Sequence, residues 1–333
     1  MSEDRPGKRL AGKYELVTKM GEGGMAVVWR GLNHGSAGFA MPVAIKRVHP
    51  GFRGHYEVRQ LFVEEARVGA GLRHPTIVQV HDFGEDEDGD LFLVTELVNG
   101  LHLGEWNKAF LAAKRPPPWQ IVAAIAIEVL EALDAAHTRT DDSGESAAIY
   151  HRDLTPDNVL LDLSGVVKLA DFGMARAMDR ARMTQPDIVK GKLSYLAPEM
   201  VRGVDPSAQS DVFGLGIVMW EVLSGKRLFD APTDVEVVEL LRDARVPMLS
   251  MERPELPLAI TQIVHRALEV DPTMRFASAR EMMVALISAL RILPEPVDRQ
   301  ILARSFQAAY DTVVKHRVEL NYRVDPVHKA AGS

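Results

Sequence analysis

The chain has no cysteine among its 333 residues. That excludes a disulfide framework, a thiolate metal site and a catalytic thiol, and it is compatible with a reducing compartment. Long apolar runs are missing too: the charge-free stretches 121–127 and 212–220 fall far short of the ~20 residues a spanning helix needs. Residues 1–6 lack the apolar core of a signal peptide, so the expectation is a soluble cytoplasmic protein with no membrane span. Basic charge is also in deficit, with 39 Lys+Arg against 46 Asp+Glu and a net charge of −7. A general nucleic-acid binder would carry the opposite balance, so no nucleic-acid partner is expected. The 11 histidines never take the HExxH spacing of a zinc hydrolase, and there is no internal repeat or low-complexity tract.

What is present divides the chain in two. At ~150 residues per domain the length suits two domains, or one large fold of two lobes with a tail. Between 14 and 98, β-branched runs at 16–17, 27–29, 43–45, 77–80 and 91–95 read as short strands. One helix interrupts them over 56–72, where Val58, Leu61, Phe62, Val68 and Leu72 fall at helical steps and Pro75 lies just beyond. From 118 onward the pattern turns helical, with helices expected over 119–137, 210–224, 261–268 and 279–292. The second of these is apolar enough to be buried all round. Two short strands at 159–161 and 166–169 flank the Ser164-Gly165 turn. Pro294 and Pro296 then break the pattern before an amphipathic helix over 298–316, whose stripe is Leu302, Phe306, Tyr310 and Val313. The fold class is α+β: a leader 1–13, a small β-rich lobe 14–98, a larger helical lobe 99–292 and a tail 293–333. The tail helix is expected to pack on the large lobe; a homodimer or soluble regulatory partner is the alternative use of its stripe.

Several constellations carry chemistry. Gly21-Glu22-Gly23-Gly24-Met25-Ala26-Val27-Val28 lies between two strands, where glycines let a backbone approach a phosphate; a tight hairpin turn is the plainer reading. Glu65 falls on the buried stripe of the 56–72 helix and needs a cation, for which Lys46 at the end of the third strand is the candidate. Further on come His151-Arg152-Asp153-Leu154-Thr155-Pro156-Asp157-Asn158, then Asp171-Phe172-Gly173, then Ala197-Pro198-Glu199. Asn158 and Asp171 offer the oxygen ligands a hard Mg²⁺ takes, and Asp153 suits a base that orients a hydroxyl. Asp82-Phe83-Gly84 repeats the metal motif ahead of the acidic turn 85–90. That turn lacks the sixth-position Gly and the later Glu of a calcium loop, so it reads as a solvated hairpin turn.

In this order the motifs resemble the eukaryotic-like (Hanks-type) serine/threonine protein kinases, in their bacterial branch, over about 14–292. The resemblance implies a bilobal protein-kinase fold that uses ATP and Mg²⁺ to phosphorylate Ser or Thr of protein substrates. It implies a phosphate loop of Gly21, Glu22, Gly23, Gly24 and Ala26, with Val28 and Ala44 against the adenine. Thr95 would stand at the back of that pocket, and Glu96 and Val98 would offer backbone groups to the adenine edge. Lys46, paired with Glu65, would hold the α- and β-phosphates. Asp153 would be the catalytic base, and Asn158 and Asp171 the metal ligands. Asp211 would brace the catalytic loop, while Glu199 and Arg275 would form a structural ion pair.

The sequence departs from that pattern in places. Ala26 stands for the third loop glycine, and a polar stretch, 140–146, is inserted. Thr155 occupies the position where such kinases carry a phosphate-directed Lys, whereas Lys192 follows Gly191 where they carry Thr. A reciprocal swap is expected, with Lys192 supplying the catalytic charge. Thr184 is the expected phosphosite, and Asp157 reads either as a hint of basic acceptors or, equally well, as a solvated loop aspartate. A pseudokinase scaffold and a small-molecule phosphotransferase are the competing readings.

Overall fold

The computed structural model describes residues 4–23, 25–141, 143–172 and 193–324. Strands β1 (Arg9–Leu10), β2 (Tyr14–Glu22), β3 (Ala26–His34) and β4 (Ala40–Val48) precede helix α1 (Tyr56–Ala70), which β5 (Val80–Glu85) and β6 (Leu91–Glu96) follow. The strands form one antiparallel sheet in the order β1-β2-β3-β4-β6-β5. Strand alternation sorts its two faces. Val27, Trp29, Val43, Ile45 and Val94 bury one face with Leu10, Tyr14 and Leu16. On the other, Ala26, Val48 and Leu93 pack on Val58, Phe62 and Ala66 of α1. Lys46 shares that second face, being two residues from Val48 on β4.

The strand expected at 77–80 is displaced: β5 runs over Val80–Glu85, and the Ile77-Val78 pair crosses instead to the large lobe. Leu169 N–H donates to Thr76 C=O at 2.7 Å and Val78 N–H to Leu169 C=O at 3.0 Å. Asp82-Phe83-Gly84 therefore lies within a strand. The acidic turn after it is not a solvated one, because Asp86 is buried and accepts N–H bonds from Asp88 (3.1 Å) and Asp90 (2.9 Å). Its carboxylate is the counter-ion of Arg47, a fully buried guanidinium 2.8 Å away, with Lys8 at 3.2 Å. Burial opposes that charge, yet the Asp90 N–H, Arg47 and Lys8 hold the carboxyl down at about 2. Asp4, from the segment read as a leader, joins the same cluster by bridging Arg47 and Arg53. The described residues hold no acid or histidine cluster suited to a metal ion.

The large lobe begins with β7 (Gly100–His102), α2 (Leu103–Ala112) and α3 (Trp119–His137), followed by β8 (Val159–Asp162) and β9 (Val167–Leu169). The three strands form a second sheet. Beyond it lie α4 (Pro198–Val201), α5 (Ala208–Ser224), α6 (Asp234–Asp243), α7 (Leu249–Glu252), α8 (Leu258–Ala267) and α9 (Ala279–Leu290). Every residue of α5 from Ser210 to Leu223 is buried, as its composition predicts. The described residues of the inserted stretch are exposed, and a Thr140–Ser146 bridge closes it.

The tail helix, α10 (Arg299–Val324), outruns its expected span and packs on α2, β7 and β8. Leu302, Phe306 and Ala309 are buried there, and Trp106 Nε1 donates to Ser305 Oγ at 3.1 Å. Gly165 marks the contact: at φ +87° it suits the β8–β9 turn, and a Cβ on it would stand 2.2 Å from the Arg299 carbonyl. No helix among the described residues is long and apolar enough to cross a membrane.

Candidate active site

The glycine segment forms the β2–β3 hairpin, with Gly21 opposite Val28 and Glu22 opposite Val27. Gly23 N–H donates to Ala26 C=O at 2.8 Å. Neither Gly21 nor Gly23 has a positive φ. A Cβ on Gly21 would meet no atom within 4 Å, and on Gly23 only the Ala26 carbonyl at 3.7 Å. The folded backbone thus does not require glycine at either position; what the two residues keep is open space over the strands. The Glu22 side chain is taken by Lys19 of the same strand and then by His49, just past β4, which lower its carboxyl pKa. Gly24 lies outside the described residues.

Below the hairpin, the register sets Val28 opposite Lys46, Lys46 opposite Leu93 and Ala44 opposite Thr95, so these side chains share one face. Val28, Ala44 and Thr95 are half-buried on it. Lys46 Nζ donates to Glu65 Oε1 at 2.7 Å and to Asp171 Oδ1 at 3.1 Å, joining β4, α1 and the segment after β9. Burial alone would lower the Lys46 pKa; Asp171 and Glu65 overcome it and raise it. Burial pushes the Glu65 carboxyl up to about 7, with the Lys46 charge pulling down and Asp171 adding to the rise.

Of the two residues expected to face an adenine edge, Glu96 is the more engaged. Its Oε1 accepts from Gln79 N–H and Lys168 Nζ, both at 2.8 Å, and its carbonyl accepts from Thr95 Oγ1 at 3.2 Å. The backbone of Val98 makes no hydrogen bond among the described residues.

The loop 151–158 is held from beneath by Asp211 in the first turn of α5. Its Oδ2 accepts from His151 N–H and from His137 Nε2, and its Oδ1 from Arg152 N–H, each at 2.8 Å. Burial opposes the Asp211 charge, but these donors, His137 foremost, keep its pKa below the ordinary value. Arg152 (φ +65°) and Asp171 (φ +62°) both sit in the left-handed region, a conformation costing about 1–3 kcal/mol per residue. The Asp211 bonds offset that strain at Arg152. His151 ties the two strained residues together: its Nε2 donates to Ala170 C=O at 2.8 Å and its Nδ1 accepts from Asp153 N–H at 3.3 Å. Those partners require the neutral Nε2–H tautomer. Phe172 closes the arrangement, its ring edge-on to His151 at 4.7 Å.

Asp153 and Asn158 are buried side by side. Asn158 Nδ2 donates to the Asp153 carbonyl at 2.7 Å and to its Oδ2 at 3.3 Å. Those bonds commit the amide nitrogen and leave the side-chain carbonyl oxygen as the group with ligating capacity. With the Asp171 carboxylate this is an all-oxygen donor set of the kind Mg²⁺ takes. The structure therefore brings together Lys46, Glu65, Asp153, Asn158 and Asp171, which are dispersed over more than 100 residues of sequence. Glu199 and Arg275 form the expected pair, bidentate at 2.7 Å for both bonds and buried. Thr155 is buried, and Gly173, Thr184, Gly191 and Lys192 lie outside the described residues. His137 went unforeseen as a partner of Asp211; the two are 74 residues apart and no motif links them.

Comparison with known proteins identifies the family. The family profile described as "Protein kinase domain" matches residues 14–285. The chain is 33% identical over 275 residues to "Tyrosine-protein kinase MasK" of Myxococcus xanthus, covering 83% of this chain and 42% of that protein. It is 34% identical over 327 residues to "Serine/threonine-protein kinase PknA" of Mycobacterium tuberculosis, covering 95% and 71% respectively. Several curated relatives are thus more than twice the length of the segment shared with this chain. The solved PknI kinase domain of M. tuberculosis superposes with a TM-score of 0.64 at 30% identity, over 86% of this chain and 99% of that one.

Proposed function

Since this chain belongs to the protein kinase family, in its bacterial Hanks-type branch, we propose that it transfers the γ-phosphoryl group of MgATP to serine or threonine hydroxyls of proteins. The observation that carries this reading is the Lys46 ammonium bonded at once to Glu65 and Asp171, beside a buried Asp153–Asn158 pair. A scaffold that had lost transfer would have no need to keep all five groups in register.

In this reading the Gly21–Ala26 hairpin covers the phosphates, Lys46 holds them, and Val28, Ala44 and Thr95 bound the adenine pocket. Val98 N–H and the Glu96 carbonyl face the base edge. Asn158 and Asp171 would hold Mg²⁺, which when bound neutralises charge on the phosphates. Asp153, oriented by Asn158 Nδ2 and by the His151–Asp211 brace, positions the acceptor hydroxyl and takes its proton. Lys192 supplies the cation that Thr155 does not. One charge ~4 Å from the phosphate at an effective dielectric near 20 amounts to up to ~4 kcal/mol, or about three decades in rate at most. Lys192→Ala is therefore expected to lower kcat tenfold or more, and a kcat within about twofold of the parent would end the swap idea.

The deciding experiment is transfer from labelled ATP to a generic protein acceptor and to the chain itself, with and without EDTA, followed by phosphoamino-acid analysis. Mg²⁺-dependent label on serine and threonine, including Thr184, is the expected result. Label confined to tyrosine would overturn the acceptor assignment, a comparison prompted by the MasK resemblance. Nucleotide binding without transfer would favour the scaffold.

The glycine hairpin offers a separate check. Because a Cβ at Gly21 meets nothing in the folded chain, Gly21→Ala should leave thermal stability unchanged or raise it by about 0.4–1 kcal/mol. The same methyl would intrude on the phosphates, and KM for ATP should rise roughly tenfold, equivalent to ~1.4 kcal/mol. An unchanged KM would place the phosphates elsewhere.

A further inference from the structure

Outside the nucleotide cleft, a second cluster of ionisable groups lies beside the catalytic loop. Tyr195 OH donates to Glu221 Oε2 at 2.8 Å, and Leu228 N–H donates to Glu221 Oε1 at 3.0 Å. Arg227 Nη1 donates to Glu221 Oε2 at 3.2 Å and to the Tyr195 hydroxyl, with its guanidinium carbon 5.2 Å over the Tyr195 ring. Glu221 and Tyr195 are buried, whereas the Arg227 side chain is 46% exposed. A buried carboxylate is thus neutralised by a cation whose side chain is still partly at the surface.

The cluster adjoins the site of transfer. A Cβ on Gly214 of α5 would meet the Leu154 side chain at 3.3 Å and the Tyr195 carbonyl at 3.5 Å, and Leu154 directly follows Asp153. Asp157, four residues past Asp153, is exposed and already paired with His102 Nδ1 at 2.9 Å. His102 lowers its carboxyl pKa, and the charges of Lys108 and Arg227 add to the effect. The surroundings of Asp153 thus hold one buried acid and one exposed acid, and both have basic partners within the chain.

We infer that Arg227 is a specificity-determining residue: it fills the Glu221–Tyr195 acid pocket from within, so that an arginine of the acceptor finds no carboxylate there and basic acceptors are not selected. The inference rests on the kinase reading above, and it replaces the sequence-based hint that Asp157 favours basic peptides. Removing the guanidinium leaves a buried carboxylate without its cation, which an incoming arginine would then satisfy.

The test uses serine peptides in which a single arginine replaces alanine at each flanking position in turn. Binding is measured by fluorescence anisotropy with a non-hydrolysable ATP analogue and Mg²⁺, and transfer is measured with labelled ATP. The parent should show arginine-to-alanine ratios within about twofold throughout. Arg227→Ala should gain about tenfold for arginine at one position, Arg227→Lys should keep the parent's flat profile, and Arg227→Ala/Glu221→Gln should lose the gain. A merely structural Arg227 would produce no such position-specific gain. A flat profile in folded Arg227→Ala overturns the inference, and so does a tenfold arginine preference in the parent. If the alanine variant does not fold, Arg227→Gln, which retains packing over Tyr195, is read the same way. The binding profile decides the point even for a chain that transfers no phosphate, an outcome that would count against the kinase reading alone.

Discussion

Asp171→Asn is expected to lower phosphoryl transfer by about three orders of magnitude or more without unfolding the chain. Asn tolerates the left-handed backbone that Asp171 occupies at φ +62°, so the substitution adds no strain. Lys46 keeps its 2.7 Å bond to Glu65. Loss of the Asp171 charge also removes one of the influences that raise the Glu65 carboxyl, after burial, so the Lys46–Glu65 pair should be more fully ionised at neutral pH. What disappears is the anionic oxygen expected to face the metal. A unit charge at ~4 Å and an effective dielectric near 20 amounts to ~4 kcal/mol against a monovalent partner, which is already about three decades. Initial rates of label transfer beside thermal melting check both halves. A variant within tenfold of the parent would remove Asp171 from the metal site. The pH dependence gives a companion signature. Glu65 holds its proton up to about 7 when folded against an ordinary 4.5, so the folded chain binds more protons in that window and loses stability as pH rises across it. That slope should be shallower in the variant.

The legible parts of the sequence were those in which one residue type has one physical use. The α3 boundaries follow from a long Ala- and Ile-rich helical pattern, and the buried α5 from a stretch that is nearly all apolar. Glu65 was found because a carboxylate on a buried stripe must have a cation, and β4 ends in one. The helix α6 is harder to read although Thr233 and Glu236 form a capping box at its start, because of its five apolar residues only Val237 and Leu241 are buried. The Ile77-Val78 pair was misread for a different reason. Its β-branched composition does predict an extended backbone, but the partner is Leu169 across the lobes instead of a neighbour in the small sheet. Composition cannot name a partner 92 residues away. The same limit hid the buried Asp86–Arg47 bond inside what read as a solvated acidic turn, and the Arg227–Glu221–Tyr195 cluster, whose members carry no motif of their own.

Strain and bracing recur together at the site. The left-handed residues Arg152 and Asp171 border the two segments that carry Asp153 and Phe172, and His151 bonds to both segments. Asp211 anchors this assembly from a helix with no exposed face among residues 210–223. The 151–158 loop is therefore fastened to a helix buried on every side, while Lys46 and Glu65 come from the small lobe. The salt bridge from Lys46 to Asp171 joins the two sets of residues.

Arg275→Met is expected to cost about 3–5 kcal/mol of stability, a large fraction of the roughly 5–15 kcal/mol that holds a domain folded. The guanidinium is buried and bidentate to Glu199, and it also donates to the carbonyls of Gln209 (3.0 Å), Glu269 (2.7 Å) and Val270 (3.1 Å) and stacks 4.6 Å from the Phe213 ring. Methionine fills the volume but strands a buried carboxylate and three carbonyls. Glu199→Gln keeps the donors in place and should cost only about 1–2 kcal/mol. Glu199→Met/Arg275→Met should fall between the two, because it removes the stranded charge but not the three orphaned carbonyls. Denaturant midpoints of the three variants test the ordering, and a double variant as stable as the parent would show that those carbonyls do not matter. The consequence for function is directional. Glu199 lies in the first turn of α4, just after the segment bearing Tyr195, so a partly released Glu199 should weaken acceptor binding before it touches the nucleotide. Glu199→Gln should therefore raise KM for a peptide acceptor more than KM for ATP, and the opposite split would mean that the Glu199–Arg275 pair acts through the whole lobe and not through the docking segment.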